Sequence, residues 1–217
     1  MDSNYQEILE AARYCSKVYD AMTIIGNTTD TEVLVADNPE KLIISFSGSE
    51  SVVDWKQNLD FKLVNYYKQA KVHSGFLECF ESVKHQVFEL LTDKPICCVG
   101  HSLGGAIATI MATYIKSVYP QRLVTSITFG SPKPGNQEFA ELYQSLNIPT
   151  YRIVNSIDIV PSLPRWWQGQ YKHVCEPKYI GTNINKSQQL LNADKIKSHY
   201  ISSYVATLNE LVQINKI

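Results

Sequence analysis

The segment Gly100-His101-Ser102-Leu103-Gly104 has the clearest chemical content in this chain. It is a complete Gly-x-Ser-x-Gly. A short apolar run precedes it, Pro95-Ile96-Cys97-Cys98-Val99, and small helix formers follow it from Gly105 to Ala112. A serine at such a strand-to-helix junction sits in a tight, strained turn that lifts its hydroxyl above the sheet edge. The flanking glycines remove Cβ atoms that would collide with the adjacent strand and helix. The spacing predicts a nucleophile elbow with Ser102 as the nucleophile.

A serine hydroxyl attacks poorly at neutral pH, so Ser102 requires a base, and the base requires an orienting carboxylate. In folds built around this elbow the chain order is Ser, then Asp or Glu, then His. His73 and His85 precede the serine, and the elbow should turn His101 away from Ser102. His173 lies in the strand-like run Tyr171 to Cys175, where a packed or hydrogen-bonded histidine is common. His199 opens the last helical segment after the loop Ala193 to Ser198, where a base can swing over the sheet edge. His199 is therefore the expected base.

Asp158 follows the strand-like run Thr150 to Val154, in Asn155-Ser156-Ile157-Asp158-Ile159-Val160-Pro161, and is the expected acid; Glu176 and Asp194 are weaker alternatives. A tetrahedral intermediate also needs oxyanion donors. The backbone N–H of Leu103 is one by position. Ser49, in Gly48-Ser49-Glu50-Ser51, is either the second donor or an ordinary turn serine.

The surrounding elements must place these groups. Tyr5 to Tyr19 reads as an amphipathic helix with Ile8, Ala11, Ala12, Cys15 and Val18 on one face. Thr31 to Ala36 and Leu42 to Phe46 read as strands, followed by a polar stretch to about Ala70 with a short helix around Asp54 to Leu59. Gly75 to Leu91 and Ser102 to Val118 read as helices on either side of the elbow strand. Leu123 to Phe129 is a strand, Asn136 to Leu146 a helix, Thr150 to Val154 a strand, Tyr171 to Cys175 a late edge strand, and His199 to Ile214 the last helix. Strands alternating with helices favour an α/β fold, with a mainly parallel central sheet and helices on both faces. Residues 1–217 are expected to form one domain, with the irregular segment Pro161 to Ser198 as active-site surface loop.

Composition narrows the partners. The formal net charge is −1, and charged residues make up 19% with no basic block, which argues against nucleic acid. No apolar run approaches the ~20 residues of a membrane span. The start, Met1 to Glu7, is polar and lacks the features of a secretory signal. The five cysteines form an odd set without tight pairing, which suggests free thiols in a reducing compartment. Cys97 and Cys98 read as small buried fillers. An intracellular, cytoplasmic protein is expected, or a mature form with its leader removed. No His/Cys spacing suggests a metal, and no cofactor is expected.

Several collinear segments together resemble the class 3 lipases, the fungal-lipase-like branch of the α/β-hydrolase fold. Phe46-Ser47-Gly48-Ser49 with Asp54-Trp55 resembles the oxyanion segment, and Val72-His73-Ser74-Gly75-Phe76 a further family segment. Val99 to Ala106 resembles the nucleophile motif, and Thr128-Phe129-Gly130-Ser131-Pro132 with Gly135-Asn136 the strand and turn after it. Arg152-Ile153-Val154-Asn155 with Asp158-Ile159-Val160-Pro161 and Leu163-Pro164 resembles the acid segment, and His199-Tyr200 with Tyr204 the ending that carries the base. The resemblance covers roughly residues 40 to 205. It implies that Ser49 is an oxyanion residue and that His173 is structural. Ser47 departs from the family's usual Arg, and Cys175 from a common Gly.

Family members place a lid where this chain has Ser51 to Val72. Val52, Trp55 and Leu59 fall at helical spacing there, as a lid or as a fixed helix packing its tryptophan inward. Trp166 and Trp167 either meet lipid, line an acyl groove or pack. The resemblance implies a metal-free lipase-like serine ester hydrolase that meets lipid interfaces transiently. Phospholipase A1 or feruloyl-type esterase activity is the alternative within enzymes, and a non-catalytic lipase-like binding module is the alternative outside them.

Overall fold

The computed structural model describes residues 4–18, 23–48, 62–155, 157–165, 167, 169–181 and 197–214. Helix α1 (Asn4–Lys17) opens the chain. Strands β1 (Ile24–Ile25), β2 (Glu32–Asp37) and β3 (Leu42–Phe46) follow, then a hairpin of β4 (Leu63–Tyr67) and β5 (Ala70–His73) leading into α2 (Ser74–Glu89). The elbow strand β6 (Ile96–His101) precedes α3 (Leu103–Val118). Strand β7 (Val124–Phe129), helix α4 (Gln137–Ser145), strand β8 (Thr150–Asn155), a 3-10 turn (Val160–Ser162), strand β9 (Pro177–Ile180) and helix α5 (Ile201–Ile214) complete the described elements.

The main sheet has the order β1-β2-β3-β6-β7-β8-β9. Strands β3, β6, β7, β8 and β9 run parallel, and β1 and β2 add an antiparallel edge. Residues along β3 and β6 alternate between the two faces. Ile43, Cys97 and Val99 pack with Ile8, Ala12, Tyr204 and Leu208 of α1 and α5. Ile44 and Cys98 pack on the other face with Phe76, Phe80, Ile107 and Met111 of α2 and α3. A parallel strand covered on both faces is near-continuously apolar, and all of β3 and β6 is buried, with Ser45 and His101 as their polar residues. Cys97 and Cys98 are the buried fillers expected, and all five cysteines are free thiols.

Two elements differ from the sequence reading. Leu63 to His73 forms a hairpin where a polar stretch was expected. Its two-residue turn, Lys68-Gln69, holds Lys68 at φ +52° without the glycine or asparagine that normally signals such a turn. The late edge strand is Pro177–Ile180, paired with β8 through Val154 and Tyr179, not Tyr171 to Cys175. The latter residues are engaged with loops instead. The Lys172 N–H donates to the Gly135 carbonyl at 2.7 Å, and the His173 ring bonds the Pro161 carbonyl.

Candidate active site

Ser102 lies between β6 and α3 at φ +56° and ψ −127°, a region a serine side chain disfavours. Its N–H donates to the Phe129 carbonyl of the neighbouring strand at 2.9 Å, which holds the turn against the sheet. A Cβ on Gly100 would overlap the Gly104 carbonyl, and a Cβ on Gly104 would overlap the Phe46 carbonyl at the end of β3. The two glycines let strand, turn and helix close on one another around the serine.

Ser102, Asp158 and His199 come together although 97 residues separate the serine from the histidine. His199 Nε2 lies 2.9 Å from Ser102 Oγ, and His199 Nδ1 lies 2.7 Å from Asp158 Oδ2. The carboxylate only accepts, so Nδ1 carries the proton and the Nε2 lone pair faces the serine hydroxyl. All three side chains are buried. The carboxylate is itself fixed. Oδ1 accepts the Val160 N–H at 2.9 Å, and Oδ2 also accepts the Tyr204 hydroxyl at 2.6 Å. Burial and the Asp158 charge push the Tyr204 phenol well above its ordinary range, so it stays a donor. Its oxygen accepts the Asn155 N–H at 3.1 Å, and Asn155 Nδ2 reaches the Ser198 carbonyl at 3.1 Å, next to the base.

The loop carrying Asp158 is held from two sides. Lys133 Nζ donates to the carbonyls of Ser162 and Pro164 at 3.0 and 2.8 Å. His173 Nε2–H donates to the Pro161 carbonyl at 2.7 Å. Burial, with the positive charge of Arg152, lowers the His173 pKa to about 3, so the ring stays neutral. Its place is that of a structural histidine, as the sequence resemblance implied. His199 Nδ1 pairs with Asp158 and not with Glu176, and Asp194 lies outside the described residues.

Sequence reasoning missed two contributors. Tyr204 was seen only as part of a motif, because its bond to Asp158 spans 46 residues. His101 was set aside as pointing away from Ser102, yet its Nε2 lies 2.6 Å from the His199 carbonyl, and its ring lies 4.7 Å from the His199 ring. No local pattern announces either contact.

Leu103 is the first residue of α3, so its N–H has no partner within the helix and lies one peptide from Ser102. It also lines a cavity of about 500 Å³ with Gly48, Ser47, Thr31 and Cys79. Ser49, Trp55, Leu59 and Trp166 lie outside the described residues. Trp167 is 61% exposed, with the Arg165 guanidinium 5.4 Å over its ring. Among the described residues, no group of three or more His, Cys, Asp or Glu side chains is arranged to hold a metal ion, and no helix is long and apolar enough to cross a membrane.

The chain is similar to the lipase of Rhizomucor miehei, at 32% identity over 191 residues, 81% of this chain and 52% of that protein. It is also similar to the secreted mono- and diacylglycerol lipase 1 of Fusarium solani, at 36% identity over 169 residues, 72% of this chain and 49% of that protein. The chain thus spans about half the length of the curated relatives it matches. Among solved structures, Rhizomucor miehei triacylglyceride lipase superposes with a TM-score of 0.75 at 26% identity, over 84% of this chain and 82% of that one. The sheet described above is thus the α/β-hydrolase sheet of those lipases. The model of the family lipase (class 3) matches residues 43–167, more than half of the chain and the part that carries the elbow and Asp158, and the chain belongs to that family.

Proposed function

We propose that the protein is a serine carboxylester hydrolase that cleaves lipid acyl esters. The observation that carries this is the unbroken line from Ser102 Oγ to His199 Nε2 at 2.9 Å and from His199 Nδ1 to Asp158 Oδ2 at 2.7 Å. Ser102 Oγ attacks the ester carbonyl while His199 Nε2 takes its proton. Asp158 holds the imidazole in the Nδ1–H tautomer and stabilises the cation that forms. The Leu103 N–H and Ser49 stabilise the oxyanion. His199 then protonates the leaving alcohol, and the acyl group stays on Ser102. Water, deprotonated by His199, attacks this acyl-enzyme and releases the fatty acid, which restores the serine.

The similarity to proteins named as lipases supports lipid esters as the substrate class. Exposed Trp167 beside Arg165 supports transient contact with a lipid interface, because an amphipathic ring settles at such boundaries. Five free thiols support residence in a reducing, intracellular compartment.

Labelling by a fluorophosphonate, together with turnover of a short p-nitrophenyl ester, tests the assignment. The protein should label and turn over, and Ser102→Ala should do neither while melting cooperatively. Undiminished labelling of that variant would assign the nucleophile elsewhere. A folded parent protein that neither labels nor turns over would favour a non-catalytic lipid-binding module. A panel of triacylglycerol, monoacylglycerol, phospholipid and aryl esters then separates lipase from phospholipase A1 and feruloyl-type activity.

A further inference from the structure

We infer that His101 is a positioning residue for the base, one that fixes the main chain of His199 relative to Ser102; the inference rests on the triad assignment above. His101 is the last residue of β6, so the strand end that presents the nucleophile also presents this imidazole. A carbonyl oxygen only accepts, so the 2.6 Å bond from His101 Nε2 to the His199 carbonyl requires the Nε2–H tautomer. That leaves Nδ1 as a lone pair, and it has no hydrogen-bond partner among the described residues. A buried imidazole that gives up one of its two hydrogen bonds is held by the bond it keeps.

The rest of the environment agrees with a fixed neutral ring. It lies 4.7 Å from the His199 ring, tilted by 36°, and edge-on to Tyr204 at 6.1 Å. Burial first, and the nearness of His199 second, lower its pKa to about 3. His101 therefore adds no second positive charge beside His199 when the base holds the serine proton.

The base needs such a tether because it is carried by none of the strands that present Ser102 and Asp158. His199 stands two residues before α5, in a turn closed by the Tyr200 N–H on the Lys197 carbonyl. From the sheet, two bonds reach this turn: Asn155 Nδ2 to the Ser198 carbonyl and His101 Nε2 to the carbonyl of His199 itself. Only the second is anchored one residue from the nucleophile. Without it, the distance from Nε2 to Ser102 Oγ depends on contacts made two strands away.

Two amides separate positioning from packing. In His101→Gln the side-chain amide N–H₂ falls near the place of Nε2 and keeps the bond to the His199 carbonyl. In His101→Asn it falls near Nδ1 and does not reach. We expect His101→Gln to keep kcat within a few-fold of the parent protein on a short p-nitrophenyl ester. His101→Asn should lose about 10- to 100-fold in kcat with KM unchanged, the cost of a misplaced catalytic group. Fluorophosphonate labelling of the parent protein is measured first: no labelling there overturns the triad assignment and this inference together. Given labelling of the parent, equal kcat values for the two amides would overturn the positioning role alone, whatever their melting temperatures. Should either amide variant fail to fold, His101→Phe keeps the ring contact without the donor. It should label at least 10-fold more slowly than the parent, and labelling at the parent rate would overturn the role.

Discussion

Two neutral histidines buried beside the site should make the fold sensitive to mild acid. His101 and His173 are each held at a pKa of about 3. Burial dominates in both; the nearness of His199 contributes at His101, and the charge of Arg152 at His173. In the unfolded chain a histidine titrates near its ordinary 6.5. Below that pH the unfolded chain takes up protons that the native protein refuses. The unfolded state then binds more protons, so stability rises with pH across this window and is lost as pH falls from 6.5 toward 3. At pH 5 the difference is about 2 kcal/mol for each histidine, at about 1.4 kcal/mol per pH unit below 6.5. The pair together would remove a large part of the ~5–15 kcal/mol typical of a folded domain. His173→Gln isolates one of them, because an amide can still donate to the Pro161 carbonyl but does not titrate. Urea unfolding of both proteins at pH 7.5 and pH 5 gives two losses of stability, in which all other titrating groups cancel. The variant should lose about 2 kcal/mol less, equivalent to roughly 4–8 °C in Tm for a chain of this size. Parallel losses would refute the reasoning, since they would mean that His173 titrates alike in the folded and unfolded states.

Gly130→Ala should injure catalysis through its methyl group. That Cβ would lie 2.6 Å from Asp158 Oδ2 and 3.0 Å from the His199 ring, on a backbone at φ +58°. We expect about a 100-fold loss of kcat on a short ester; full activity with an intact fold would show that the acid and base tolerate displacement. Tyr204→Phe removes one donor to Asp158 and the hydroxyl that accepts from the Asn155 N–H. It should cost about 1.5–3 kcal/mol in urea unfolding, the range for a hydrogen bond to a charged group, and an unchanged midpoint would contradict the bond.

What the sequence disclosed depended on how local the signal was. Helix α1 announced itself through the spacing of Ile8, Ala12 and Cys15, and all three are buried. The elbow was legible because Gly100 and Gly104 answer to clashes within one turn and with one neighbouring carbonyl. Asp158 and His199 were legible from chain order, which the elbow imposes on its partners. The β4–β5 hairpin was hidden, because Asn65, Lys68 and Gln69 interrupt its apolar alternation and its turn uses a lysine at positive φ. Tyr171 to Cys175 has the composition of a strand, but its groups bond to Gly135 and Pro161, and nothing local distinguishes a strap from an edge strand. His101 and Tyr204 act across 98 and 46 residues, so their roles exist only once the sheet is assembled.

The order of the sheet explains why the site takes this form. Strands β6, β7 and β8 are neighbours and run parallel, so their carboxyl ends lie side by side. Ser102 follows the first, Gly130 the second and Asp158 lies beyond the third. The nucleophile and the acid therefore have one strand between them, too far to bond directly but near enough for an imidazole to bridge them. That imidazole must lie across the end of the middle strand, where the residue is Gly130, whose missing Cβ leaves room for the His199 ring and the Asp158 carboxylate. His199 enters from the α5 side and is not carried by any of the three strands, so its position has to be imposed by contacts. Asp158 imposes it at the ring, and His101, at the end of the nucleophile's own strand, imposes it at the backbone.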